Sequence, residues 1–244
     1  MWSALDRPAL QGVRLTVLDL DAAVAQVHEV LGLARDPGRA DDGEDIARFR
    51  IGTHWLAFQR SSTESLSSLA PNDVATLHWR CSDLQRQRML LAQLGFDSQE
   101  DAEPGAPALL RVVAAETGAC ALQWDAGAEA VRVCSEAPSL PGISALVLHT
   151  RAPERVAAHW AQMFQVCVER HAAGVPRLVL GGLSVQFVFA EEGAGGIARM
   201  SLSLPDASDV RARAIASGAI VDGDAFTLAG LTISLANAWA APAS

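Results

Sequence analysis

The chain of 244 residues contains no lysine and no tyrosine; all 19 of its basic residues are arginine. Without lysine there is no Schiff-base nucleophile, no anchor for pyridoxal phosphate and no phosphate-gripping P-loop lysine, and without tyrosine no phenol moves a proton. Cysteine is scarce too. Cys81, Cys120, Cys134 and Cys167 lie too far apart in sequence for a CxxC redox pair or a zinc knuckle, so free buried thiols are expected. Positive charge is in deficit: the net charge of −9 leaves no broad cationic surface for nucleic acid or an anionic membrane, and points to a small-molecule partner. No window approaches roughly 18 uninterrupted apolar residues. The opening MWSALDRPALQG has neither a basic start nor an apolar h-region, so a cytoplasmic protein is expected. Neither GxSxG nor HExxH occurs, which removes the standard serine hydrolase and zincin readings.

What is present is ample material for a core, since 50% of the residues are apolar and only 19% charged. It is arranged in four copies of one plan. The copies open on strand-like runs, GVRLTVLDLD (12–21), TLHWRCSDLQ (76–85), ALVLHTRAPE (145–154) and RMSLSLPDAS (199–208). Amphipathic helices follow over 22–32, 86–95, 155–164 and 209–218; in the first, Leu20, Val24, Val27 and Leu31 form one stripe at helical spacing. Asp19 or Asp21, Ser82 or Asp83, and Asp206 or Ser208 supply helix starts, while Gly32, Gly95 and Gly218 supply stops. Strands broken by turns complete each copy, among them ARFRIG, HWLAFQRS, ALLRVVAAETG, ACALQWDA, PRLVLGG and LSVQFVFA. Each copy therefore reads βαβββ. One such copy cannot cover its own sheet, so copies pair into two α+β domains with curled mixed sheets, at 1–128 and 142–244, joined by a linker over 129–141. Pairing across a homodimer is equally open.

Side chains of a strand alternate between faces. Val13, Leu15 and Val17, with Ala75, Leu77, Trp79, Leu146, Leu148, Met200, Leu202 and Leu204, make an apolar set that belongs under the helices. The other set contains Arg14, Thr16, Thr76, His78, Arg80, His149, Arg199 and Ser201, and faces a concave surface polar enough to recognise a ligand.

On these residues the sequence resembles the vicinal oxygen chelate superfamily, the group of glyoxalase I, bleomycin resistance proteins and extradiol dioxygenases. The stretch GVRLTVLDLDAAVAQVHEVLGL is similar to that family's opening module, and the four-copy plan extends the likeness over nearly the whole chain. The resemblance implies paired βαβββ modules curled around a cavity where, in the enzymes, a divalent metal chelates neighbouring oxygens of the substrate. It places metal ligands at Gly12, Thr76, Ala145 and Arg199 and near Ala57, Leu122, Gln186 and Ser234. Only Gln186 suits the role, so no metal and no other cofactor is expected.

Arg14 and Arg80, sharing the first cavity with His78, favour an anionic ligand. His78 and His149 suit either a satisfied structural hydrogen bond or general acid–base work. Trp55 and Trp124, in final strands, line a pocket or fill a core. The candidate ligand-binding residues are thus Arg14, Thr16, Trp55, Thr76, His78, Arg80, Trp124, His149, Gln186, Arg199 and Ser201. Two functions fit: binding of a small anionic or aromatic molecule without metal, as in the bleomycin resistance proteins, or a lyase, isomerase or dioxygenase-like enzyme using pocket His and Arg or an unrecognised metal. The GxGxxA match at 193–198 and the hydroxyl-rich run at 61–73 read as connections between copies.

Overall fold

In the computed structural model, residues 8–36, 45–61, 74–101, 108–126, 141–171, 173–191, 196–219 and 221–237 are described. Cys134, most of the run 61–73, most of the linker 129–141 and the start of the GxGxxA segment lie outside them. The four copies fold alike. The first runs β1 (Ala9–Val17), α1 (Leu20–Gln26, continued by a wide π turn over Val27–Leu31), β2 (Arg35–Asp36), β3 (Ile46–Ile51) and β4 (His54–Arg60). The second has β5 (Ala75–Cys81), α2 (Leu84–Gln93), β6 (Gln99–Asp101), β7 (Leu109–Val112), a one-turn helix α3 (Ala114–Thr117) and β8 (Ala121–Ala126). The third has β9 (Gly142–Thr150), α4 (Pro153–Phe164), β10 (Glu169–Arg170), β11 (Pro176–Leu180) and β12 (Leu183–Phe189). The fourth has β13 (Gly196–Leu204), α5 (Ala207–Ala216), β14 (Val221–Asp222), β15 (Ala225–Leu228) and β16 (Leu231–Asn237).

Helix starts fall two residues ahead of the periodic runs. Asp19 and Asp83 win over their neighbours as caps because their carboxylates accept the Ala22 and Arg86 amides at 2.8 and 2.9 Å. Asp206 stands at the cap of α5 without a side-chain capping bond and meets Arg213 at 3.4 Å. Helix α4 ends on Gln165 rather than glycine, at φ 51°. The run ALLRVVAAETG is a strand only to Val112; Ala-Ala-Glu-Thr then coils into α3, closed by the Thr117 hydroxyl on the Ala114 carbonyl and by left-handed Gly118.

Copies one and two build an eight-stranded sheet in the order β2-β3-β4-β1-β5-β8-β7-β6, and copies three and four repeat it as β10-β11-β12-β9-β13-β16-β15-β14. In each, the two opening strands lie antiparallel at the centre, each flanked by the parallel last strand of its own copy. Every residue of the apolar set except half-buried Val17 is buried. The helix faces of the two sheets share one core. Phe164 of α4 packs on Trp79 and Trp124 of the first sheet at 4.5 and 6.1 Å between ring centroids, while Trp160 packs on Phe187 of the second at 5.3 Å. Trp160 Nε1 donates to the Thr117 carbonyl at 3.0 Å, and Arg213 Nε donates to Val30 at the π turn at 2.9 Å. Cys81 and Cys120 are buried and burial raises both thiols, Cys81 to about 12, so both are inert; Cys167, against expectation, is exposed because it lies past the end of α4. Among the described residues, no helix is long and apolar enough to cross a membrane.

Two features of this core yield predictions. Gln87 of α2 is fully buried and neither atom of its amide has a hydrogen-bond partner. Gln87→Met removes that uncompensated desolvation at similar volume, and should raise the urea-measured unfolding free energy by about 1–2 kcal/mol. His54 joins the halves, its Nδ1 accepting the Ile143 amide at 3.2 Å, and burial lowers its pKa from 6.5 to about 4. Between these two values the unfolded chain binds a proton that the folded chain refuses, so stability falls as pH drops from about 6.5 to about 4. Urea midpoints measured across that window should show this loss. They should show less of it in His54→Asn, whose Oδ1 still accepts from Ile143 but does not titrate.

Candidate functional site

The face of the first sheet turned away from the helices is organised by register. One row across it reads Arg50, Trp55, Gly12, His78, Gln123, Arg111, and the next reads Asp36, Arg48, Ala57, Arg14, Thr76, Ala121. Trp55 can lie in the middle of this floor only because residue 12 is glycine: a Cβ there would run into the indole ring and the Trp55 carbonyl. The indole in turn meets the His78 ring at 4.7 Å between centroids, and the Arg48 guanidinium sits 4.6 Å over it. Arg14 donates to Gln123 Oε1 at 3.5 Å, and Arg80 to Gln11 Oε1 at 3.0 Å.

In a flat sheet Arg48 and Arg111 would stand about 14 and about 10 Å from His78, three and two strands away. Their charges nevertheless act on it, because the sheet curls and long side chains reach inward. Burial first, then the guanidiniums of Arg14, Arg48 and Arg111, hold the His78 imidazole neutral, well below the ordinary histidine range. His78 Nε2 and Arg111 Nε are enclosed and make no hydrogen bond.

The residues expected from the sequence divide three ways. Arg14, Thr16, Trp55, Thr76, His78 and Arg80 share this first face. His149, Gln186, Arg199 and Ser201 lie on the corresponding face of the second sheet, which is a separate surface. Trp124 is a correction. It points to the helix side, fully buried against Phe164, because in β8 the polar face belongs to Gln123 and Asp125. Arg48, Arg111 and Gln123 were not anticipated, although the alternation in ARFRIG and ALLRVV puts both arginines opposite buried neighbours. The second face is neutral at its centre: Ser184, Ala145, Ser201 and Ser234 share a row, with the Ser201 and Ser234 hydroxyls 2.7 Å apart.

No family model and no curated protein matches the sequence. Solved structures do. The Mn(II)-bound glyoxalase from Novosphingobium aromaticivorans is 13% identical with a TM-score of 0.64, over 93% of this chain and 80% of that one. A catechol 2,3-dioxygenase is 14% identical with a TM-score of 0.62, over 93% and 91%. Homoprotocatechuate 2,3-dioxygenase from Arthrobacter globiformis is 12% identical with a TM-score of 0.64, over 94% and 79%. The chain has the vicinal oxygen chelate fold.

That fold raises the question of a metal, and the donors on the first face do not fit one. At the positions the resemblance assigns stand Gly12, Thr76, Ala57 and, beside Leu122, Gln123. The space over Gly12 holds an indole. The positive charges of Arg14, Arg48 and Arg111 act on nearby His78 and would repel a divalent cation, and no carboxylate stands among these positions. Among the described residues, no three His, Cys, Asp or Glu side chains come together as a metal site.

The Trp55–Gly12 contact is testable. Gly12→Ala should cost about 1–3 kcal/mol of stability by overpacking. The same alanine should cost much less on a Trp55→Leu background, giving a coupling energy in a double-mutant cycle.

Proposed function

We propose that the curled face of the first sheet binds a small anionic molecule, without a metal, in the manner of a binding protein of the vicinal oxygen chelate fold. The observation that carries this reading is the convergence of Arg14, Arg48 and Arg111 on one neutral, enclosed imidazole, above a floor of Trp55 and Gly12. In a chain of net charge −9 such a cluster is a local concentration of positive charge. Guanidiniums offer paired N–H donors that match a carboxylate, and in a partly dehydrated hollow those bonds are stronger than at the surface. The imidazole, kept neutral, adds no further positive charge and leaves its ring as an aromatic wall beside the indole. The second face has hydroxyls at its centre, and its arginines differ in setting: Arg177 is paired with Glu169 at 2.6 Å and Arg199 is exposed.

The test is thermal unfolding and calorimetric titration of chelator-treated protein with benzoate and with benzamide, its uncharged counterpart. Benzoate should raise the melting temperature and benzamide should not, since only a ligand of the folded state stabilises it. Arg14→Gln should abolish most of the benzoate effect. Equal responses to the two compounds, or binding that appears only on adding a divalent metal, would refute the reading.

A further inference from the structure

Resting on the reading just given, we infer that the ligand of the first face is a dianion, gripped by Arg14 on one side of the Gln123 amide and by Arg111 on the other. The two cations come from opposite wings of the sheet: Arg14 from β1, reaching across β5 to Gln123 at 3.5 Å, and Arg111 from β7, the register neighbour of the same glutamine. A single carboxylate spans one guanidinium fork; two forks separated by an amide call for two ionised groups, or for one doubly ionised group with oxygens directed both ways. Arg48 does not enter this count, because it lies over Trp55 and faces Asp36 in register. Of the face's described carboxylates, Asp36 stands beside Arg50 at 3.8 Å, and Asp125, two residues along β8 from Gln123, stands in register with Arg80. Arg111 Nε, like those of Arg48 and Arg80 on the same face, is enclosed with no hydrogen-bond partner. Enclosing that one donor unpaired, on a half-buried arginine in a strand otherwise built of Leu and Val, carries a desolvation cost. The cost is recovered when an anion arrives.

Two chemical sources supply such a dianion, a dicarboxylate or a phosphate monoester, and the experiment separates them. Calorimetric titration of the full chain at pH 7.5 compares benzoate, phthalate and phenyl phosphate. At least one dianion should bind about tenfold or more tightly than benzoate, and the tighter of the two names the source. Arg111→Gln should abolish the preference, leaving that dianion within about twofold of benzoate when both are measured on the same variant. Arg111→Lys, which restores a point charge, should recover part of the preference. Arg199→Gln, on the exposed part of the second face, should change nothing. Circular dichroism of each variant confirms that it is folded. Benzoate binding as tightly as both dianions, or a preference that survives Arg111→Gln or is lost in Arg199→Gln, would overturn the dianion inference and leave the anion site standing. Failure of all three probes to bind would overturn the anion site itself, and this inference with it.

Discussion

Both eight-stranded sheets bury their helix sides in one shared aromatic seam, and the rest of the molecule follows from that constraint. Phe164 touches Trp79 and Trp124 of the first sheet, while Trp160 on the same helix touches Phe187 of the second. Helix α4 thus serves both sheets at once, and the buried apolar residues of the two halves form one cluster. Each sheet's other face is left turned away from the seam. These large rings each bury a large apolar area, and the hydrogen bond from Trp160 to Thr117 gives the contact a fixed geometry. The Arg213 contacts to Val30 and Leu31 tie a second pair of helices across the same boundary, using carbonyls that the π turn leaves without helical partners.

The free faces share an architecture and differ in chemistry. On the first, glycine at 12 allows an indole to cross the central strand, the indole supports His78 and Arg48, and arginines from both wings turn inward. On the second, the equivalent ground is held by alanine and serines. Two of the solved structures sharing the fold are extradiol-type dioxygenases and one is a Mn(II)-bound glyoxalase. In this chain a bulky ring and several cations occupy the region where donors for a cation would be needed. The fold is kept while the side chains on its free face change, because the sheet requires only that small and large side chains alternate correctly.

Much of the fold was legible because the signals were periodic. Period-two alternation sorted the opening strands correctly, from Val13 and Leu15 through Met200 and Leu202, and cap residues Asp19 and Asp83 with stops at Gly32, Gly95 and Gly218 bounded the helices. The site was legible only in part. Arg14, Thr76 and His78 could be placed on one face from their own strand, but Arg48 and Arg111 sit on outer strands whose approach depends on how far the sheet curls. Trp124 read as a possible pocket residue because a tryptophan in a last strand is compatible with either face; one residue of register decided it. The α3 turn inside ALLRVVAAETG was hidden for a similar reason, since four residues are too few for helical periodicity to show.

The sequence by itself determined the repeat, the βαβββ plan of each copy, the faces of the opening strands and the absence of lysine and tyrosine chemistry. These are local properties, set by alternation, capping and composition, and they hold wherever the strands end up. Only the tertiary structure decided that two sheets share one core, that Trp55 lies over Gly12, and that three arginines far apart in sequence converge on His78. Those facts depend on strand register and sheet curvature, which arise from contacts between residues that no sequence window contains together.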